Sequence, residues 1–281
     1  MKDGSSLSQR LVSYRSLVSS GASCGSLLFF WRKSPRGAFI VLGLPRSGST
    51  LLADLLNCSP EIHCDGEILT RRVLWPHWYV RARAMRFPGK VYGFKLMSHH
   101  LRRQRVALRD FLLAHHRQGG RIIYLSRYNI LRQAISGLLA GQTGLWRSDP
   151  QTLDARRTGK SRIDCQDLLR TMRWIEAQRA KEQQALDGLP FVTVVYEKHL
   201  LDPDARQSSL DQLFEYLGVR PVPVRTSLVR VSTDRLSDFV ENFDEVARAV
   251  SIGGYARFLS PDAPNESYSP DPGFGSMLST R

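Results

Sequence analysis

The segment Gly43-Leu-Pro-Arg-Ser-Gly-Ser-Thr50 has residue types and spacing that could do chemistry. It follows the apolar run Phe39-Ile-Val-Leu-Gly43 and precedes Leu51, Leu52, Leu55 and Leu56, which recur at helical spacing. The segment therefore reads as a turn between a buried strand and a helix, the context a phosphate loop requires. Backbone N–H groups of such a turn converge on an anion, and the helix N-terminus adds a favourable dipole. Gly48 lets the backbone approach the ligand closely. Gly43 and Gly48 have the spacing of the GxxxxGK[ST] motif, but Ser49 stands where its lysine belongs. A lysine reaching β- and γ-phosphates is thus missing, which argues against a nucleoside triphosphate. Arg46 is the cation inside the loop, and its planar fork suits a transferring group with peripheral oxygens.

The elements that must position this loop alternate. Strand-like runs fall at 39–43, 91–97, 121–126 and 191–196, and helical patterns at 50–56, 101–118, 130–140, 167–186 and 205–217. Alternation of this kind predicts an α/β chain, a P-loop-like three-layer fold with a central parallel sheet flanked by helices. The polar stretch 142–161 reads as a long loop or lid. One domain over 37–260 is expected. Residues 1–36 form an N-terminal extension, poorly ordered or amphipathic, and the Pro-, Ser- and Gly-rich 261–281 form a flexible tail.

Leu44-Pro-Arg-Ser-Gly-Ser-Thr-Leu-Leu52 resembles the 5′-phosphosulfate loop of sulfotransferases that use 3′-phosphoadenosine 5′-phosphosulfate (PAPS). The wording is similar to the bacterial and carbohydrate-type branch, including nodulation-factor and trehalose-type members. The resemblance implies that Arg46, Ser47, Gly48, Ser49 and Thr50 hold the 5′-phosphosulfate. It also implies a second anchor for the 3′-phosphate, an Arg at a strand end and a Ser in the next helix. Arg127 and Ser136 supply that pattern, but the usual eight-residue spacing falls on Tyr128, so Arg127 serves with Tyr128 beside it.

For catalysis, the segment around Gly66-Glu67 is similar to a region of the same relatives whose glutamate is proposed as general base. Glu67 is the candidate here, with Asp65 a weaker alternative. Animal-type relatives use a His after a Lys-containing strand, and Phe94-Lys-Leu-Met-Ser-His-His100 offers Lys95 and His99 in that place. Arg46 and the loop amides would stabilise charge on the leaving phosphate, Lys95 would touch the bridging oxygen or the acceptor, and Glu67 or His99 would take the acceptor's proton. Tyr196-Glu197 resembles a late strand-end signature with a structural role. The segment 254–258 resembles the ending of nodulation-type members, closing over the nucleotide or packing Tyr255 and Phe258 into the core.

The expected activity is transfer of a sulfuryl group from PAPS to a hydroxyl or amine of a carbohydrate, glycolipid or small natural product. The alternatives are a P-loop kinase-type phosphotransferase and a basic, non-enzymatic nucleic-acid-binding protein. The net charge of +14 asks for anionic partners without naming them. No helix-turn-helix, zinc finger or aromatic-interleaved basic strand is present, so no nucleic acid is expected. The lid 142–161 and the segment 71–86, with Trp75, Trp78 and Tyr79, are expected to shape the acceptor pocket, those aromatics either stacking on the acceptor or packing in the core. Peripheral membrane contact follows if the acceptor is a lipid, and a homodimer is compatible. Four cysteines without CxxC pairing, and no carboxylate cluster, give no metal site and a reducing, cytoplasmic home.

Overall fold

The computed structural model describes residues 35–144, 160–228 and 235–260. Its organising strand is β1 (Gly37–Gly43), whose last five residues are buried. Buried on both faces, such a strand reads as a continuous apolar run, which is why the sequence reveals it. It pairs in parallel with β3 (Val91–Met97) on one side and β4 (Arg121–Ser126) on the other. The edge strands β2 (Ile62–Asp65) and β5 (Val192–Val195) complete a five-stranded parallel sheet of order β2-β3-β1-β4-β5.

Alternate residues of the strands feed opposite layers. Phe39, Val41, Ile123 and Leu125 meet Leu52 and Leu55 of α1 (Ser49–Leu56) and Leu213 and Phe214 of α8 (Pro203–Leu217). Ile40, Leu42, Tyr92, Phe94 and Ile122 meet Phe111 and Leu112 of α4 (Leu108–Arg117), and Leu186 at the end of α6 (Cys165–Leu186). A third cluster joins α5 (Ile130–Thr143), α6 and α9 (Phe243–Ile252) around Leu131, Met172, Val246 and Phe258. Layers of helix, sheet and helix are the three-layer α/β architecture expected from the sequence.

The chain leaves β1 toward β2 and leaves β4 toward β5, so β1 and β4 straddle the point where the direction of winding reverses. Ligands of open α/β sheets bind at the carboxyl ends of strands at such a point. Both anion motifs sit there: residues 43–50 follow β1, and Arg127 follows β4.

Several local expectations are corrected. The helix read over 101–118 is two helices, α3 (Ser98–Gln104) and α4, separated where Arg105 takes a left-handed φ of 56°. His99 and His100 accordingly lie in the first turn of a helix and not on an extended strand exit. Strand β2 and helix α2 (Pro76–Ala84) have no counterpart among the elements read from the sequence. Helix α5 runs to Thr143, so 142 and 143 are not loop, and a short turn of helix, α7 (Tyr196–His199), follows β5 directly. Most of the expected lid, with the N-terminal extension up to residue 34 and the tail from 261, lies outside the described residues.

Candidate active site

The loop after β1 is shaped by two backbone positions. Arg46 takes φ 64° and Gly48 takes φ 96°, the second far more comfortable for glycine than for any L side chain. A Cβ on Gly48 would stand 2.5 Å from the Tyr196 ring, and one on Gly43 would stand 2.5 Å from the Leu125 carbonyl oxygen. Gly48 is also the N-cap of α1 and brings no side-chain cap, so the helix's first N–H groups stay available to a ligand. Ser47 is 1% exposed, and its hydroxyl has no hydrogen-bond partner among the described residues. A buried hydroxyl of this kind costs free energy unless a ligand completes it. These features fit an anionic group seated on the loop.

The second motif comes to the same place. Arg46 Nε donates to Ser136 Oγ at 2.9 Å, linking the loop to α5. Arg127 Nη1 donates to the Arg46 carbonyl oxygen at 3.2 Å, and its guanidinium lies 4.9 Å from the centre of the Tyr196 ring. Glu197 accepts from the backbone N–H groups of Tyr128 and Asn129 at 2.7 and 3.2 Å and stands 3.5 Å from Arg127 Nε. It therefore fixes the turn after β4 and neutralises part of the arginine's charge, the structural role expected of it. Asn129 caps α5 by accepting from Arg132 N–H, and its amide donates to the Phe258 carbonyl. The Tyr128 ring packs edge-on against Phe258. Tyr255 and Phe258 are buried in the third cluster, which is the core-packing reading of 254–258.

The candidate catalytic groups line the β1/β3 side. Lys95 Nζ donates to Thr50 Oγ1 at 3.2 Å and lies 3.8 Å from Glu67. His100 Nε2 lies 3.6 Å from the other Glu67 oxygen. Burial, with His99 and Arg103 adding to it, pushes the His100 pKa down to about 4, so at neutral pH it meets Glu67 as neutral imidazole. His99, whose ring crosses that of His100 at 4.4 Å, is also held below its ordinary pKa by burial, partly offset by Glu67. Asp65 is spoken for: Arg83 donates to it at 2.6 Å and the Tyr92 hydroxyl at 2.9 Å. Burial raises its pKa, but these bonds outweigh burial and hold it low, which makes it a structural anion and a poor base.

The structure thus brings together Arg46, Ser47, Gly48, Ser49, Arg127 and Ser136 at one end of the loop. Thr50, Lys95 and Glu67 meet at the other, where His100 approaches Glu67 to 3.6 Å and His99 also feels its charge. Sequence reasoning missed His100, Gln133 and Arg179. Gln133 Nε2 donates to the Pro45 carbonyl at 2.8 Å, and Arg179 Nη2 donates to Gln133 Oε1 at 2.8 Å and to the Arg127 carbonyl. Nothing in their local sequence marks these residues. Among the described residues no group of three or more His, Cys, Asp or Glu could hold a metal ion, and no helix is long and apolar enough to cross a membrane.

An α/β sheet with a lysine-free anion loop at its winding reversal defines an anion-binding type of site. Comparison with known proteins narrows the class. Residues 38–118 match the model of the sulfotransferase family. Nodulation protein H of Rhizobium tropici is 27% identical over 242 residues, covering 80% of this chain and 93% of that protein. The crystal structure of a sulfotransferase from Alicyclobacillus acidocaldarius aligns at 15% identity with a TM-score of 0.44, over 77% of this chain and 93% of that one. The family match and the curated relative support a member of the sulfotransferase family, and hence a transferase.

Proposed function

We propose that this chain transfers the sulfuryl group of PAPS to a hydroxyl or amine of a carbohydrate, glycolipid or small natural-product acceptor. The observation that carries the reading is the joining of the two anion motifs: Arg46 bonds Ser136, and Arg127 bonds the Arg46 carbonyl. A ligand with phosphates on both the 5′ and the 3′ positions of its ribose suits such a pair of anchors.

The loop N–H groups, Ser47, Ser49 and Thr50 hold the 5′-phosphosulfate, and Arg127 and Ser136, with Tyr128 beside them, hold the 3′-phosphate. The acceptor oxygen or nitrogen attacks sulfur in line, and the S–O bond to the 5′-phosphate breaks with its electron pair going to the phosphate oxygen. Lys95, fixed by Thr50, and Arg46 stabilise that growing charge. Glu67 takes the acceptor's proton, with neutral His100 beside it and His99 as the other candidate base. The products are the sulfated acceptor and 3′,5′-adenosine bisphosphate. Calorimetric titration tests the donor site: tight binding of the bisphosphate, weak binding of Mg-ATP and loss in Arg127→Ala support it. Preference for Mg-ATP, or binding of neither, overturns it.

A further inference from the structure

Leu74, Trp75 and Trp78 are 53%, 60% and 53% exposed, and they lie together at the start of α2. Trp75 is the N-cap of α2, and Trp78 and Arg81 lie three residues apart on it, where the Arg81 guanidinium sits 5.9 Å from the Trp78 ring centre. Exposed Arg71 and Arg72 precede them. The chain from Ile68 to Arg109 contains no Asp or Glu but eleven Lys and Arg. Two bare indoles and a leucine inside a cationic collar are the composition of a surface that meets a bilayer interface. Indoles settle at headgroup depth, and guanidinium groups pair with lipid phosphates.

We propose that the face formed by Leu74, Trp75 and Trp78 docks the protein peripherally on an anionic lipid bilayer. Charge complementarity selects this occupant over the chain's own residues 1–34, which carry five Lys and Arg against one Asp. The face is held firmly to the site. Gln104 Nε2 donates to the carbonyls of Leu69 and Arg71 at 3.0 and 2.8 Å, and its Oε1 accepts from Val73 N–H at 2.9 Å. Gln104 ends the helix α3 that carries His100 next to Glu67. Docking therefore brings the segment that follows Glu67 close to the lipid surface, and its bearing on the acceptor rests on the sulfotransferase reading that puts the acceptor beside Glu67.

The test uses the full chain with vesicles of phosphatidylcholine alone and of phosphatidylcholine with one-third phosphatidylglycerol, at physiological salt. Sedimentation with the anionic vesicles only, and quenching of tryptophan fluorescence by brominated lipid, are expected. The Trp75→Ser/Trp78→Ser variant loses the quenching and roughly tenfold or more of the partitioning, and Arg71→Gln/Arg72→Gln/Arg81→Gln loses a similar factor. Ile252→Ser, which removes an exposed apolar side chain elsewhere, leaves both unchanged. Bisphosphate titration of each variant confirms that the site is folded. Absence of vesicle binding, quenching that survives in the double tryptophan variant, or equal loss in Ile252→Ser overturns the proposal. So does saturable binding of a nucleic-acid duplex or polyglutamate through the same tryptophans in the absence of vesicle binding. Vesicle binding with no bisphosphate binding keeps the docking surface and removes the sulfotransferase reading instead.

Discussion

Replacing Gly48 by alanine should damage stability and anion binding by separate routes, and both can be worked from the loop. At φ 96° an L residue is strained by about 1–2 kcal/mol. Its Cβ would also sit 2.5 Å from the Tyr196 ring, and relieving such overpacking costs about 1–3 kcal/mol. A combined loss of about 2–5 kcal/mol corresponds to a fall in Tm of roughly 4–20 °C for a chain of this size. The displaced Tyr196 ring is the one beneath the Arg127 guanidinium, so a cation–π contact of about 0.5–2 kcal/mol is disturbed at the second anchor. Bisphosphate binding should therefore weaken by roughly 2- to 30-fold even in the fraction that remains folded. Thermal melts and calorimetry of Gly48→Ala, Tyr196→Ala and the double variant make the assay. The double variant should lose less stability than the two single losses added together, because removing the ring vacates the space the new methyl needs. Strict additivity, or a Gly48→Ala protein with the wild-type Tm and affinity, would refute this account of the loop.

Other outcomes follow from the same geometry. Arg127→Ala should weaken bisphosphate binding by about 10- to 150-fold, the value of a charge-assisted contact, and calorimetry reads it directly. Glu67→Gln should lower turnover by about 10²- to 10⁴-fold with bisphosphate affinity intact; retained turnover there, with loss in His99→Asn, would move the base to His99. Glu182, 1% exposed on α6 against the hydroxyls of Ser98 and Tyr124, is pushed by burial to a pKa of about 7. Its folded pKa is raised, so its contribution is full below the ordinary carboxylate pKa and is lost as pH rises through about 7. Glu182→Gln should thus match wild type near pH 5 and exceed it in stability near pH 8, as pH-dependent denaturant melts would show. His100, His115 and His199, each depressed to about 4 by burial, set the opposite limb. Their stabilisation is complete above the ordinary histidine pKa and fades as pH falls toward 4, leaving maximal stability near pH 6–7.

The parts legible in the sequence were those written locally. β1 announced itself because a strand buried on both faces must be apolar throughout, and the anion loop followed because Gly43 is needed against the Leu125 carbonyl and Gly48 where φ turns positive beside the Tyr196 ring. Arg127 and Ser136 were found through the family resemblance, and their meeting with Arg46 is a long-range contact that no local pattern encodes. The break at Arg105 was hidden because an arginine in a left-handed conformation leaves no glycine or proline as a sign. The choice between His99 and His100 depended on the phase of α3, which a seven-residue helix does not declare. β2 escaped because four residues, with His63 and Asp65 half-exposed, make too short an alternation. Asp65 stood as a weaker alternative to Glu67, and only Arg83 and Tyr92, distant in sequence, show it to be occupied.

The way the loop is held has a consequence for how it recognises charge. Gln133 grips the carbonyl oxygen of Pro45, and Arg127 grips that of Arg46. A trans peptide is rigid and planar, with its N–H directed opposite to its C=O. Tethering those two oxygens therefore aims the N–H groups of Arg46 and Ser47 the other way. The turn after β4 and the helix that follows it steer the loop's donors by pulling on its acceptors. Because the steering acts on the main chain, the donors are oriented before any anion arrives, and little reorganisation is left for the moment of binding.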